Sequence, residues 1–202
     1  MTLVAARAGV SPKTVYLVFP TKSDILAEVI GTAVGGDEAS VPLAKRAWFR
    51  ELLQLKDEQF AAELAAQVTV IHQRAAAVQA LGEAAADGDQ GLLARRNAAR
   101  RSRWNLLRSL ARSRIKRGGR AEIEDLTDRL YVATSWQSFL MLTHDCGWSI
   151  ERYLDWLRAT LLVTLAHGVA DPSGPAAKRG LRRFTSQGVT SMAGSGRAMQ
   201  HP

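Results

Sequence analysis

A chain of 202 residues, 47% hydrophobic and 23% charged, has room for one ordinary core or a core with a small appended module, and its composition excludes wholesale disorder. Its single cysteine, Cys146, excludes an internal disulfide, and no Cys/His cluster at metal-ligating spacing stands in for one, so a reducing, cytoplasmic setting is expected. The net charge of +8 is unevenly placed: residues 91–120 hold eleven Lys and Arg and no acid, a second surplus lies beyond residue 170, and the rest is acidic on balance.

In chain order, the pattern of Ala, Leu, Arg and Glu with well-marked glycine breaks predicts helices over Leu3–Ala8, Pro12–Phe19, Lys22–Val34, Leu43–Leu55, Asp57–Leu81, Gly91–Arg117, Glu122–Cys146 and Ile150–Gly168. No run of alternating β-branched residues competes, so the fold class is all-α. From about Ala170 the sequence turns to Gly, Ser, Pro and Arg, the composition of a disordered basic tail. No positively charged start leads into an apolar run with a small-residue cleavage site, so no secretory leader is expected. The longest uncharged stretch of the C-terminal half, Leu130–Thr143 and the adjoining His144, is too short and too polar to span a bilayer, so no membrane partner is expected.

The first 35 residues carry the most specific local chemistry. Gly9 can close a helix in the left-handed conformation, Ser11 can cap the next one, and Pro12 occupies the first helical position, where a missing N–H is harmless. Val10 and Val15 stand at staple positions across that cap, and Thr21 with Asp24 repeats the device as a short capping box. The product is helix, tight turn, helix. Such a unit places the N-terminal residues of its second helix in a DNA major groove, where Ser11, Lys13, Thr14 and Tyr16 would supply polar tips while Val15 and Val18 face the core. Lys22, in the first turn of the following helix, suits a phosphate. Spacing alone leaves an ordinary capped helical hairpin equally open.

The string AGVSPKTVYLVFPTKSDIL, within residues 5–26, resembles the DNA-binding signature of TetR-family transcriptional regulators. The resemblance implies that Pro12–Phe19 is the recognition helix, with Lys13 and Thr14 facing the groove, Tyr16 on a phosphate and Lys22 at a backbone contact, and Ser11 and Pro12 complete the expected DNA-binding set. RAWFRELL at 46–53 and GWSIERYLDWL at 147–157 are similar, more weakly, to the helical ligand-binding domain of that family. It implies a partial helix-turn-helix domain over 1–36, a helical ligand-binding and dimerisation domain over 37–169, and the tail over 170–202. Family members carry a further helix ahead of this signature. A start upstream of Met1 is therefore expected, and a chain without that helix is expected to bind DNA weakly or not at all.

The function implied is a ligand-responsive repressor that binds a pseudo-palindromic operator in double-stranded DNA as a homodimer. Dimerisation is also read from Glu122–Cys146 and Ile150–Gly168, which are apolar on more than one face and form a hairpin able to complete a four-helix bundle with a second copy. A small-molecule effector would sit among the middle helices, where His72, Gln73, Trp104, Trp136, Gln137 and His144 are the candidate lining groups and ordinary core packing is the alternative for each. The arginine-rich stretch 91–120 reads as a solvated helix face paired to the acids that follow it, Glu122, Glu124, Asp125 and Asp128. No nucleophile elbow, phosphate loop or metal-ligand spacing appears, so neither catalysis nor a cofactor is expected. The alternative function is a helical dimerisation or interaction protein without DNA binding.

Overall fold

Local capping fixes where the first helices begin and end. In the computed structural model, which describes residues 1–36, 41–115 and 118–167, α1 spans Thr2–Arg7, α2 Pro12–Val18 and α3 Lys22–Gly35. Gly9, at φ +67°, closes α1 through two crossed bonds, Val10 N–H to Ala5 C=O at 3.1 Å and Gly9 N–H to Ala6 C=O at 3.3 Å. The Ser11 hydroxyl accepts from Thr14 N at 3.1 Å, and the Thr21–Asp24 capping box is complete in both directions.

The remainder is helical among the described residues: a short 3-10 turn Leu43–Lys45, α4 Ala47–Leu52, α5 Asp57–Ala86, α6 Gln90–Arg114, α7 Arg120–Ala133, α8 Trp136–Leu140 running into a π-helical turn Met141–Asp145, and α9 Ile150–His167. The 30-residue α5 is the axis, packed against α3, α6, α8 and α9, while α6 lies against α7. The core runs through Phe49, Leu52, Phe60, Leu64, Leu107, Leu110, Leu126, Leu130, Phe139, Tyr153, Leu157 and Leu161. Each such side chain, fully buried, contributes about 1.5–3 kcal/mol of transfer free energy. No helix is long and apolar enough to cross a membrane among the described residues.

Several predicted boundaries move. The helix expected over Leu43–Leu55 is interrupted at Arg46, whose backbone is extended and whose guanidinium reaches back to the Val41 carbonyl at 3.3 Å. The helix expected to stop at Leu81 continues to Ala86, because Gly82 sits under the Ile30 side chain of α3 at a point too close for a Cβ and the alanines after it propagate the helix. Glu122–Cys146 is broken at Thr134–Ser135: the Thr134 hydroxyl turns back to the Leu130 carbonyl at 2.8 Å, and Ser135 becomes the N-cap of α8. Helix α6 ends by Ile115, and the predicted end at Arg117 lies outside the described residues. The terminal Gly168 of the last predicted helix and the expected tail 170–202 also lie outside them.

Met1–Val169 form one compact unit, so the segments expected as two domains pack together, with α3 laid along α5.

Candidate functional site

Two features could carry function: the outer face of α2, and a cavity behind α3. On α2, Ser11, Pro12, Lys13, Thr14 and Tyr16 are all exposed, and Lys22 is exposed at the first turn of α3. Ser11 and Thr14 share a 2.9 Å hydroxyl–hydroxyl contact as well as the cap bond, so the first turn of α2 is held by its own side chains. The six residues expected at a DNA contact are therefore on accessible surface of two successive capped helices. Val15 is buried as expected, at 7% exposure, but Val18 is 65% exposed and does not face a core. Leu17 and Leu3 are likewise open. The reason is the partner: α2 packs chiefly on α1, a six-residue helix too short to cover both of its apolar sides.

Helix α3 is tied to the body by polar contacts at both ends. At its start, Ser23 donates to Asp89, the N-cap of α6, and Asp24 pairs with Arg95. The Thr21 hydroxyl bond, with help from Arg95, holds the Asp24 carboxyl below its ordinary range, and the Ser23 bond does the same for Asp89. At its end, the Arg74 guanidinium caps the carbonyls of Ala33 and Val34, each at 3.2 Å, across from Gly36 at φ +83°. Helix α3, which follows α2, is thus clamped to both α5 and α6.

Between these clamps lies a cavity of about 780 Å³, walled by α3, α5, α6, the 42–44 loop, and the junction of α7 with α8. That volume falls in the range of small-molecule sites, roughly 300–1,000 Å³. Its α3 wall is apolar, with Ala27, Ile30 and Val34, whereas the α6 wall alternates Leu92, Ala99 and Leu106 with Arg95, Arg96, Arg100 and Arg103. Glu83 of α5 holds two of these arginines, Arg96 at 3.0 Å and Arg100 at 2.5 Å.

Of the six residues expected to line an effector site, Trp136 and Gln137 line this cavity. The other four lie elsewhere. His72 is buried beside Phe139, ring centroids 5.5 Å apart, with its Nδ1 3.5 Å from the Tyr153 hydroxyl. Burial, reinforced by the Arg103 charge, depresses its pKa to about 3, so it is a neutral core histidine at physiological pH. Trp104 donates to Asp128 at 2.9 Å and ties α6 to α7. Gln73 is exposed on α5, and His144 is exposed in the π-helical turn.

The arginines and Gln79 are the lining groups that sequence reasoning missed. The available signal was register: Leu92, Arg96, Ala99, Arg103 and Leu106 recur at three- and four-residue spacing, so those arginines share a face with apolar residues and cannot all be solvated. Their partners also differ from expectation. Arg95, Arg96 and Arg100 pair with Asp24, Glu83 and Asp87 from the N-terminal half, and among the described residues of the stretch Arg108 and Arg120 are the ones that reach Glu124.

A second concavity, a groove of about 490 Å³, runs between α7 and α9 past Arg129, Val132, Trp156, Thr160 and Thr164. Val132 and Val163 stand exposed along these helices. Among the described residues no cluster of His, Cys, Asp and Glu is grouped to hold a metal, and Cys146 is an exposed thiol. No family model, curated protein or solved structure matches the chain.

Proposed function

We propose that this chain is a DNA-binding transcriptional regulator of the TetR type, acting as a homodimer and governed by a small ligand held behind α3. The observation that carries the reading is the outer face of α2. A Ser11-capped, Pro12-started helix leaves Lys13, Thr14 and Tyr16 exposed together, directly before the Lys22 turn of a helix that walls a ligand-sized cavity. Lys13 and Thr14 would meet base edges, while Tyr16 and Lys22 would meet phosphates and set register. A ligand in the cavity would touch the helix that carries the DNA-contacting unit, and would control DNA binding to the extent that it favours one placement of α3 over another.

The homodimer reading rests on the exposed Val132 and Val163 beside Trp156, an apolar strip of α7 and α9 that a two-fold partner would cover. Exposed Leu3, Leu17 and Val18 favour the second reading, a helical interaction protein, since apolar surface on α1 and α2 suits a protein partner better than a phosphate backbone.

Selection of bound duplexes from a random pool, followed by gel shift, separates the two. The regulator reading expects enrichment of a pseudo-palindrome. Lys22→Ala would weaken all sequences alike and lower the salt slope by about one, and Thr14→Ala would relax preference at one base position. Absence of enrichment, with no salt-dependent binding to any duplex, favours the interaction protein.

A further inference from the structure

Among the described residues, Arg103 is the arginine of the cavity lining that has no carboxylate partner. Three of the four lining arginines have carboxylate partners: Arg95 with Asp24, Arg96 with Glu83 and Asp87, and Arg100 with Glu83. Arg103, partly buried in the same wall, has none among the described residues. Its Nη2 donates to the Tyr131 carbonyl and the Thr134 carbonyl, both at 2.7 Å, and to the Thr134 hydroxyl at 3.0 Å. Its carbon lies 4.1 Å from the centre of the Tyr131 ring. These contacts place one corner of the guanidinium at the C-terminal end of α7, where carbonyl dipoles favour a cation, but they supply no full negative charge. All of these bonds run through Nη2, so the remaining guanidinium donors, Nε and the two N–H groups of Nη1, have no hydrogen bond among the described residues and point to separate sides of the group rather than forming a bidentate edge. Burial pulls the Arg103 pKa below its ordinary value, in keeping with a desolvated cation.

Two more polar atoms of the wall are buried without a partner, the Gln79 side-chain oxygen and Arg96 Nε. Around them the lining is apolar: Ile30 and Val34 from α3, Leu92 and Leu106 from α6, Trp136 from α8. Glu83 is the cavity's acid, and it is already shared by Arg96 and Arg100. The lining thus combines one uncompensated guanidinium, a few unmet hydrogen-bonding atoms and a large apolar surface.

We propose that the cavity takes an organic anion with an apolar body, its carboxylate or equivalent acid group bound by a remaining N–H of the uncompensated Arg103 guanidinium and its hydrocarbon or ring portion laid against the α3 wall. The inference rests on the reading of this cavity as a ligand site and adds the chemical class of the ligand. A neutral or cationic molecule of the same shape would leave the buried charge unmet or worsen it, which is the basis of discrimination.

The test is calorimetric titration of the full chain with decanoate, decanamide and decylammonium, which share an apolar body and differ in head-group charge. Decanoate is expected to bind about tenfold or more tightly than decanamide, with decylammonium weakest. Arg103→Gln is expected to bring decanoate down to the decanamide level without weakening decanamide, and Arg103→Lys, which keeps the charge but loses the fork, to retain part of the preference. Ala99→Trp, which fills the cavity from the α6 side, is expected to weaken both probes. Equal or tighter binding of the amide, or a preference that survives Arg103→Gln, overturns the anion assignment while leaving the cavity as a site. Absence of binding by every probe, or binding indifferent to Ala99→Trp, overturns the cavity reading itself. The carboxylate–amide comparison needs no variant, so the inference stays exposed even where Arg103→Gln does not fold.

Discussion

Helices α1 and α2 differ from the α5-centred body in what holds them. The first pair buries just Ala5 and Val15, and its order comes from the Gly9 closure and the Ser11 cap. In the body, Tyr153, Phe60, Leu52, Leu110, Leu126, Leu130, Leu157 and Leu161 are all fully buried. Caps contribute about 1 kcal/mol each and burial of a large side chain about twice that or more. The lesson is that the best-defined helix ends in the sequence need not lie in the most stable part of the molecule.

Truncation in the body is the largest expected effect. Leu157→Ala should lose about 2–5 kcal/mol in urea unfolding, whereas Leu17→Ala, at a position 76% exposed, should stay within about 0.5 kcal/mol. Equal losses at the two positions would remove the contrast.

Acid should act on the body before it acts on α1 and α2. His72 is neutral when folded because its pKa is depressed to about 3, while in the unfolded chain it titrates near its ordinary value of 6.5. Between those values the unfolded state binds more protons, so stability rises with pH and is lost as pH falls from 6.5 toward 3. The loss from pH 7 to pH 5 should be about 2 kcal/mol. His72→Phe should abolish most of that slope, and denaturant titrations of both proteins at the two pH values would measure it.

At the junction, Gly36→Ala forces a side chain into left-handed backbone and into the Arg74 guanidinium that caps α3. A loss of about 1–2 kcal/mol is expected by thermal or urea unfolding. A neutral result would mean that α3 is not clamped at its C-terminal end.

Ser11→Ala should be the smallest global perturbation and the most local one. Loss of the cap bond, about 1 kcal/mol, should speed amide exchange at Thr14 about fivefold while leaving the melting temperature nearly unchanged. A matching fall in melting temperature would show that α2 is coupled to the body more tightly than its packing indicates.

How much was legible can be argued residue by residue. Ser11 and Thr21 mark helix starts whose bonds span three residues, and both act where the sequence places them. Thr134 and Ser135 were not legible as a break, since the same residues are tolerated inside a helix when their hydroxyls turn back onto the chain. An aromatic or amide in an aliphatic segment draws attention at Trp136 and Gln137, which line the cavity, and equally at His72 and Trp104, which serve packing and an α6–α7 tie. The cavity arginines were hidden by their number, because a run of like charges looks solvated until the helices against it are known.

What the sequence by itself determined, then, is the all-helical character of the described chain and most helix boundaries, because propensity, periodicity and capping are interactions among near neighbours along the chain. Only the tertiary structure decided that α3 is clamped by Arg74 and Arg95, that α6 places Arg103 in a cavity wall without a carboxylate partner among the described residues, and that Val18 stays outside the core. The two clamps of α3 join groups 40 to 71 positions apart in sequence, and the pairing of distant side chains is set by packing geometry that no local pattern encodes.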